Sequence, residues 1–228
     1  MAWGRPARTT PTVARRRAHR SRVPDGSGAE YPAAIDACSL TFDDGPDPAW
    51  TPRLLDCLAA EGARSTFFVI AGRARSNPEL VARMLGDGHD VELHCVRHVC
   101  HTVLAEAEVR RDTEEGLRTL ATLGAGVRRW RPPWGVVSQA TARVAADHRL
   151  ALVGWSADPE DWRGESAAVM HERVAGAIGP GAVVLLHDGI GPGALRTDCR
   201  ETVALIPRLV ETVRRLGLRP LPLSGTGG

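Results

Sequence analysis

Lysine is absent: all 29 basic residues of this 228-residue chain are arginine. That excludes a Schiff-base lysine and the lysine of a phosphate-binding P-loop before any motif is read. No run of about 18 apolar residues suggests a membrane span. The amino-terminal segment also lacks the apolar stretch of about 7–15 residues that a secretory signal needs. The chain as written is therefore expected to be cytoplasmic, with export by another route left open. No CxxC pair occurs, and the five cysteines, Cys38, Cys57, Cys95, Cys100 and Cys199, are odd in number. They read as free core thiols and not as a disulfide framework. Excess charge is small as well. Residues 1–32 carry seven arginines against Asp25 and Glu30, a balance of +5, so the formal +2 of the whole leaves −3 for the remainder. The body is not basic, no nucleic-acid partner is expected, and residues 1–32 read as a disordered Arg-rich tail.

What is present is 43% apolar residue content, enough to bury one sizeable core in a single α/β domain spanning residues 33–223. Short apolar runs alternate with segments of helical period, the pattern of a mainly parallel sheet or barrel. Strands are expected at 38–43, 65–70, 90–94, 129–131, 150–156, 182–187 and 218–221. Helices are expected at 50–61, 78–87, 104–123, 138–148, 166–178 and 200–216. The third of these helices shows the logic: Leu104, Val109, Leu117, Leu120 and Leu123 share a stripe, with Thr102 as N-cap and Gly124 as stop. Residues 224–228, Ser-Gly-Thr-Gly-Gly, read as a flexible end.

The polar residues fall at the carboxyl ends of these strands, the edge at which parallel α/β folds assemble active sites. Asp43 and Asp44 end the first strand, before a Gly-Pro turn. Side chains of neighbouring strand residues point apart, so the two carboxylates can divide the work, one toward a cation and one toward a proton. Asp-Asp-Gly-Pro is also plain turn chemistry. His94 and His98 lie four apart and share a face if this stretch makes a helical turn. With one carboxylate they form a three-ligand set suited to zinc or a similar divalent metal, with positions left for water and substrate. Arg131, Asp158, Asp161 and His187 follow at later strand ends.

The ordered set TFDDGPD, HCVRH, RPPWG, DPEDW and LLHDG resembles the five motifs of the polysaccharide deacetylase family, the NodB-homology group of carbohydrate esterase family 4, over about residues 38–190. The resemblance implies a distorted (β/α) barrel of seven mainly parallel strands. It also implies a hydrolase that removes the N-acetyl group of an amino sugar by metal-activated water, the partner being an acetylated glycan, oligosaccharide or small glycoside. By the same resemblance Asp44, His94 and His98 hold one divalent metal, zinc first with cobalt or nickel as alternatives. Asp43 is the base, Arg131 orients it, and His187 is the general acid. Asp161 supports His187, with Asp158 as the competing candidate. Pro133, Trp134 and Trp162 border the substrate, and Leu185 with Leu186 either lines the acyl pocket or is ordinary strand core. Trp134 stands where the family often has Tyr or Phe, and Cys95 replaces a hydroxyl residue. Arg97 and His101 read as solvated loop. Two rival functions use the same residues differently: a hydrolase of a small amide or cyclic imide, and a catalytically silent carbohydrate-binding relative. The second would be expected to have lost a ligand or the base, and none is missing.

Overall fold

The computed structural model describes residues 36–225. The expected 1–32 tail lies outside the described residues. Seven strands form one parallel sheet. Strand β1 (Ala37–Asp43) is buried along its whole length and lies between β2 (Thr66–Ile70) and β6 (Val183–His187). The sheet continues from β2 through β3 (Asp90–Cys95) and β4 (Arg129–Trp130) to β5 (Ala151–Leu152). A short β7 (Arg219–Pro220) pairs with the start of β1. Past β5 the chain swings round so that Ala157 bridges Val184 of β6. That single bridge closes the ring, which makes the fold a (β/α) barrel with an irregular seam.

Alternation along the strands sorts the core into two layers. Leu40, Phe42, Phe67, Val69, Val184 and Leu186 face the helices and join the main apolar cluster. Phe68, Val153, Val183 and Leu223 form a small inner cluster with Trp155 against it. Thr41, Asp43, Leu185 and His187 share that inner parity, with Thr41 opposite Leu185 and Asp43 opposite His187. The inner plug is apolar below and polar at the carboxyl end.

Helices α1 (Thr51–Ala60), α3 (Pro78–Gly86), α5 (Gln139–Asp147), α6 (Ala167–Val174) and α7 (Arg200–Arg215) fall where periodicity places them. Helix α2 (Ala71–Ser76) was not expected, because it starts directly at the end of β2 and spans only six residues. It ends at Asn77, where the following proline disfavours helical backbone. Helix α4 (Glu106–Thr122) starts later than Thr102 would place it. Thr102 lies in a preceding 3-10 turn, and the Glu108 carboxylate instead accepts the Ala105 backbone N–H at 3.0 Å. The buried face of α4 includes Val109 and Leu120 but also Asp112, Thr113 and Gly116. A Cβ at Gly116 would sit 2.6 Å from Leu93 Cδ1, so glycine is what lets α4 lie on β3. In α7, Pro207 has no N–H to give the Val203 carbonyl, and the Cys57 thiol of α1 donates to that oxygen instead, at 3.7 Å.

Strand β5 is shorter than the expected 150–156. The Val153 and Gly154 carbonyls accept from the Arg131 guanidinium. Ser224 is tied down beyond expectation, donating its backbone N–H to Asp90 at 2.8 Å; residues 226–228 of the expected flexible end lie outside the described residues. All five cysteines are free thiols, and no described helix is long and apolar enough to cross a membrane.

Candidate active site

The end of β1 gives its two carboxylates different surroundings. Asp43 keeps strand geometry, points inward and is 4% exposed. The fully buried Arg131, just past β4, donates from Nη1 to Asp43 Oδ1 and to Thr41 Oγ1, both at 2.8 Å. Its Nη2 reaches the Gly154 carbonyl at 3.0 Å, and its guanidinium carbon lies 4.3 Å from the Phe68 ring centroid. A planar fork of five donors can serve four acceptors at once, which an ammonium cannot. Asp44 leaves the strand in the left-handed region, at φ 73°, which turns its carboxylate toward β3. Arg73 of α2 holds it there, donating to the Asp44 carbonyl at 2.8 Å and to the Ile190 carbonyl at 2.9 Å.

Asp44 Oδ1 lies 3.6 Å from His94 Nε2 and 3.4 Å from His98 Nε2, and the donor atoms of these three residues are all within 4.8 Å of one another. His94 ends its approach along β3, and its Nδ1–H donates to the Arg131 carbonyl at 2.6 Å, which leaves the Nε2 lone pair facing Asp44. His98 comes from a bend and not from the helical turn its spacing suggests. The buried Asp112 of α4 makes that bend by accepting the backbone N–H groups of Val96 and Arg97 at 2.8 and 3.0 Å. Burial, then the nearby His94 imidazole, lowers the His98 pKa from its ordinary value, favouring the neutral form that a metal ligand requires. Asp44 Oδ1 is buried without a hydrogen-bond partner. An orphaned carboxylate oxygen facing two imidazoles fits a divalent cation with nitrogen and oxygen ligands, zinc among them.

Across the β1–β6 pairing, His187 stands level with Asp43. Its Nδ1 lies 2.6 Å from Asp161 Oδ1, and its backbone N–H reaches Asp161 Oδ2 at 3.0 Å. Burial opposes charge on the imidazole, but the Asp161 carboxylate overcomes it and raises the His187 pKa, with Asp44 and Asp43 adding to the pull. Asp158 is not the partner: its Oδ1 accepts the Glu160 backbone N–H at 2.7 Å, and burial raises its pKa to about 6.

Trp134 is 48% exposed, takes left-handed backbone and sets its ring edge-on to His98 at 4.2 Å between centroids. Pro133 beside it is buried. Trp162 is half-buried, and its carbonyl accepts from Leu195 N–H at 2.8 Å. Leu185 shares the inner parity of His187, whereas Leu186 packs in the sheet–helix core; the acyl-pocket expectation fails for Leu186 because neighbouring strand residues face opposite ways. His101 is not solvated either. It is 2% exposed, contacts Thr141 Oγ1 at 3.0 Å and packs 5.3 Å from Trp130, whose Nε1–H donates to the His94 carbonyl.

Four contributors escape sequence reading: Arg73, Asp112, Asp188 and Arg196. Each is an ordinary charged residue with at least one partner more than about fifteen positions away in the chain. Asp188 is buried beside Gly45, accepts from Thr51 Oγ1 at 2.6 Å and has its pKa raised by burial to about 7. Only its place directly after His187 could have drawn notice.

The chain is similar to several known proteins. The polysaccharide deacetylase family model matches residues 31–153. A chitooligosaccharide deacetylase of Sinorhizobium fredii is 38% identical over 191 residues, covering 80% of this chain and 89% of that protein. A peptidoglycan-N-acetylglucosamine deacetylase of Bacillus cereus is 30% identical over 197 residues, covering 86% and 90%. Among solved structures, a family 4 carbohydrate esterase from Streptomyces lividans in complex with acetate superposes with a TM-score of 0.73 at 30% identity, covering 82% of this chain and 92% of that one.

Proposed function

We propose that this chain, which belongs to the polysaccharide deacetylase family, hydrolyses the N-acetyl amide of an amino sugar in an N-acetylglucosamine-containing glycan or oligosaccharide. One observation carries the reading. A buried Arg131–Asp43 pair and a buried Asp161–His187 pair face each other in register across β1 and β6, beside the Asp44, His94 and His98 donor set. Those three residues would hold one divalent cation, zinc by the character of the donors, and such an ion acidifies water and polarises an acyl oxygen.

The remaining work falls to side chains. Arg131 occupies Asp43 Oδ1, leaving Oδ2 to accept a proton as water adds to the acyl carbon. Amide nitrogen is a poor leaving group as an anion, so the C–N bond breaks only as nitrogen gains a proton. His187 supplies that proton from Nε2, since Nδ1 is engaged by Asp161. Acetate and the free amine result. Trp134 and Trp162 offer indole faces against which a sugar ring packs, and Leu185, on the same inner face of β6 as His187, is the apolar side chain available to the acyl group.

The test is acetate release from acetylated chito-oligosaccharides by the zinc-loaded protein. Asp43→Asn is expected to keep zinc and lose activity by about 10²–10⁴-fold, whereas His94→Ala loses both. Absence of acetate release, or near-wild-type kcat in Asp43→Asn, would overturn the reading.

A further inference from the structure

The loop between β6 and α7 brings a second buried arginine to the site. Arg196 is 8% exposed. Its Nη1 donates to Asp161 Oδ2 at 2.9 Å and also contacts Thr202 Oγ1. Its Nη2 donates to the His187 carbonyl at 3.0 Å and the Gly189 carbonyl at 3.1 Å. Thr202 Oγ1 in turn donates to Asp161 Oδ2 at 2.8 Å. The guanidinium therefore holds both ends of the His187–Asp161 pair: the carboxylate that orients the imidazole, and the backbone of the histidine itself.

The arrangement repeats the one around the base. Arg131 fixes Asp43 while gripping carbonyls of the β5 end, and Arg196 fixes Asp161 while gripping carbonyls of the β6 end. Asp161 is wholly enclosed, and a carboxylate there is stable as an anion only when its lone pairs are filled by donors. His187 Nδ1 fills one oxygen. Arg196, Thr202 and the His187 backbone N–H fill the other. Without Arg196 the Oδ2 side keeps only neutral donors, Thr202 Oγ1 and the His187 backbone N–H, so Asp161 is held less firmly against Nδ1 and takes up a proton more readily.

We propose that Arg196 is a positioning residue for protonation of the leaving amine, acting through Asp161 to keep His187 aimed and able to carry its proton. This rests on the reading of His187 as general acid. The role differs from a merely structural one in its dependence on the leaving group. An amine must be protonated as it departs, whereas 4-nitrophenolate leaves as a stable anion and needs no acid. Loss of Arg196 should therefore slow amide cleavage far more than cleavage of an activated acetate ester.

The experiment compares kcat and KM of the zinc-loaded full chain on an acetylated chito-oligosaccharide and on 4-nitrophenyl acetate, for wild type, Arg196→Met, Arg196→Lys, Thr202→Val and His187→Ala. Arg196→Met should lower kcat on the amide by about 10–100-fold with KM within about threefold, and the ester rate by much less. Arg196→Lys, which keeps the charge with fewer donors, should recover part of the loss. Thr202→Val, a milder change at the same oxygen, should shift the amide-to-ester ratio in the same direction and decides the matter if Arg196→Met does not fold. Equal losses on both substrates, or no loss on either, would overturn the inference. If His187→Ala itself loses both activities alike, the general-acid reading fails. If His187→Ala is amide-selective and Arg196→Met is not, only the role of Arg196 fails.

Discussion

Replacing Arg131 with methionine tests whether the base is held by a truly buried ion pair. The change keeps similar bulk and removes every donor. Asp43, 4% exposed, would then be an uncompensated buried carboxylate, and Thr41 Oγ1, Val153 O and Gly154 O would each lose a partner. Removing one member of a buried pair typically costs about 3–5 kcal/mol, a large part of the about 5–15 kcal/mol that holds a domain folded. For a domain of this size each kcal/mol moves the midpoint by about 2–4 °C, so Tm should fall by about 6–20 °C. Thermal unfolding followed by circular dichroism, in chelator so that no cation neutralises Asp43, provides the measurement. Asp43→Asn combined with Arg131→Met is the sharper test. Removing the stranded charge should return at least about 1 kcal/mol, or about 2–4 °C, relative to Arg131→Met alone. A double variant no more stable than Arg131→Met would refute the claim that the lost stability comes from an uncompensated carboxylate.

Two further outcomes follow from close contacts elsewhere. A Cβ at Gly191 would lie 2.0 Å from Asp44 Oδ2, so Gly191→Ala should push this carboxylate off the two imidazoles and weaken zinc affinity by about 10–100-fold in a competition titration, with Tm in chelator little changed. His89 is 5% exposed, accepts the Ser65 backbone N–H at Nδ1, and burial lowers its pKa from 6.5 to about 4. Between those pH values the unfolded chain binds a proton that the folded chain refuses. The stability is therefore intact above pH 6.5 and falls by up to about 3 kcal/mol as pH drops toward 4. Tm measured from pH 7 to 4.5 should fall less steeply in His89→Asn, which keeps an acceptor near Nδ1 but does not titrate.

Much of the barrel could be read from periodicity, because buried parallel strands and amphipathic helices leave repeating apolar marks. The exceptions share a cause. Helix α2 is too short to show a period, and β5 ends early because two of its carbonyls serve Arg131, a debt to a residue about twenty positions away. The motif residues were legible as a set because their chemistry is unusual at strand ends. The residues that aim them were not: Asp112 shapes the His98 bend from the middle of α4, where its spacing reads only as a helix residue, and Arg196 comes from a loop with no periodicity at all. The burial of His101 is hidden from the sequence for the same reason, since it depends on Thr141 and Trp130.

The adjacent pair Asp43-Asp44 shows how backbone geometry settles a choice that composition leaves open. Two carboxylates aimed at one point would share a proton and split their pKa values. Strand geometry sends Asp43 inward to Arg131, while the left-handed φ of Asp44 sends its carboxylate toward His94 and His98 instead. A non-glycine residue in that region costs about 1–2 kcal/mol, and the conformation persists only where surroundings fix it. Arg73 grips the Asp44 carbonyl, and at Gly189 and Gly191 the backbone comes so close to Asp44 that a Cβ would collide with it. The turn thus falls between the two carboxylates, and each meets a different partner: a permanent guanidinium for the residue that takes protons, and a cation-ready pair of neutral imidazoles for the residue that should not.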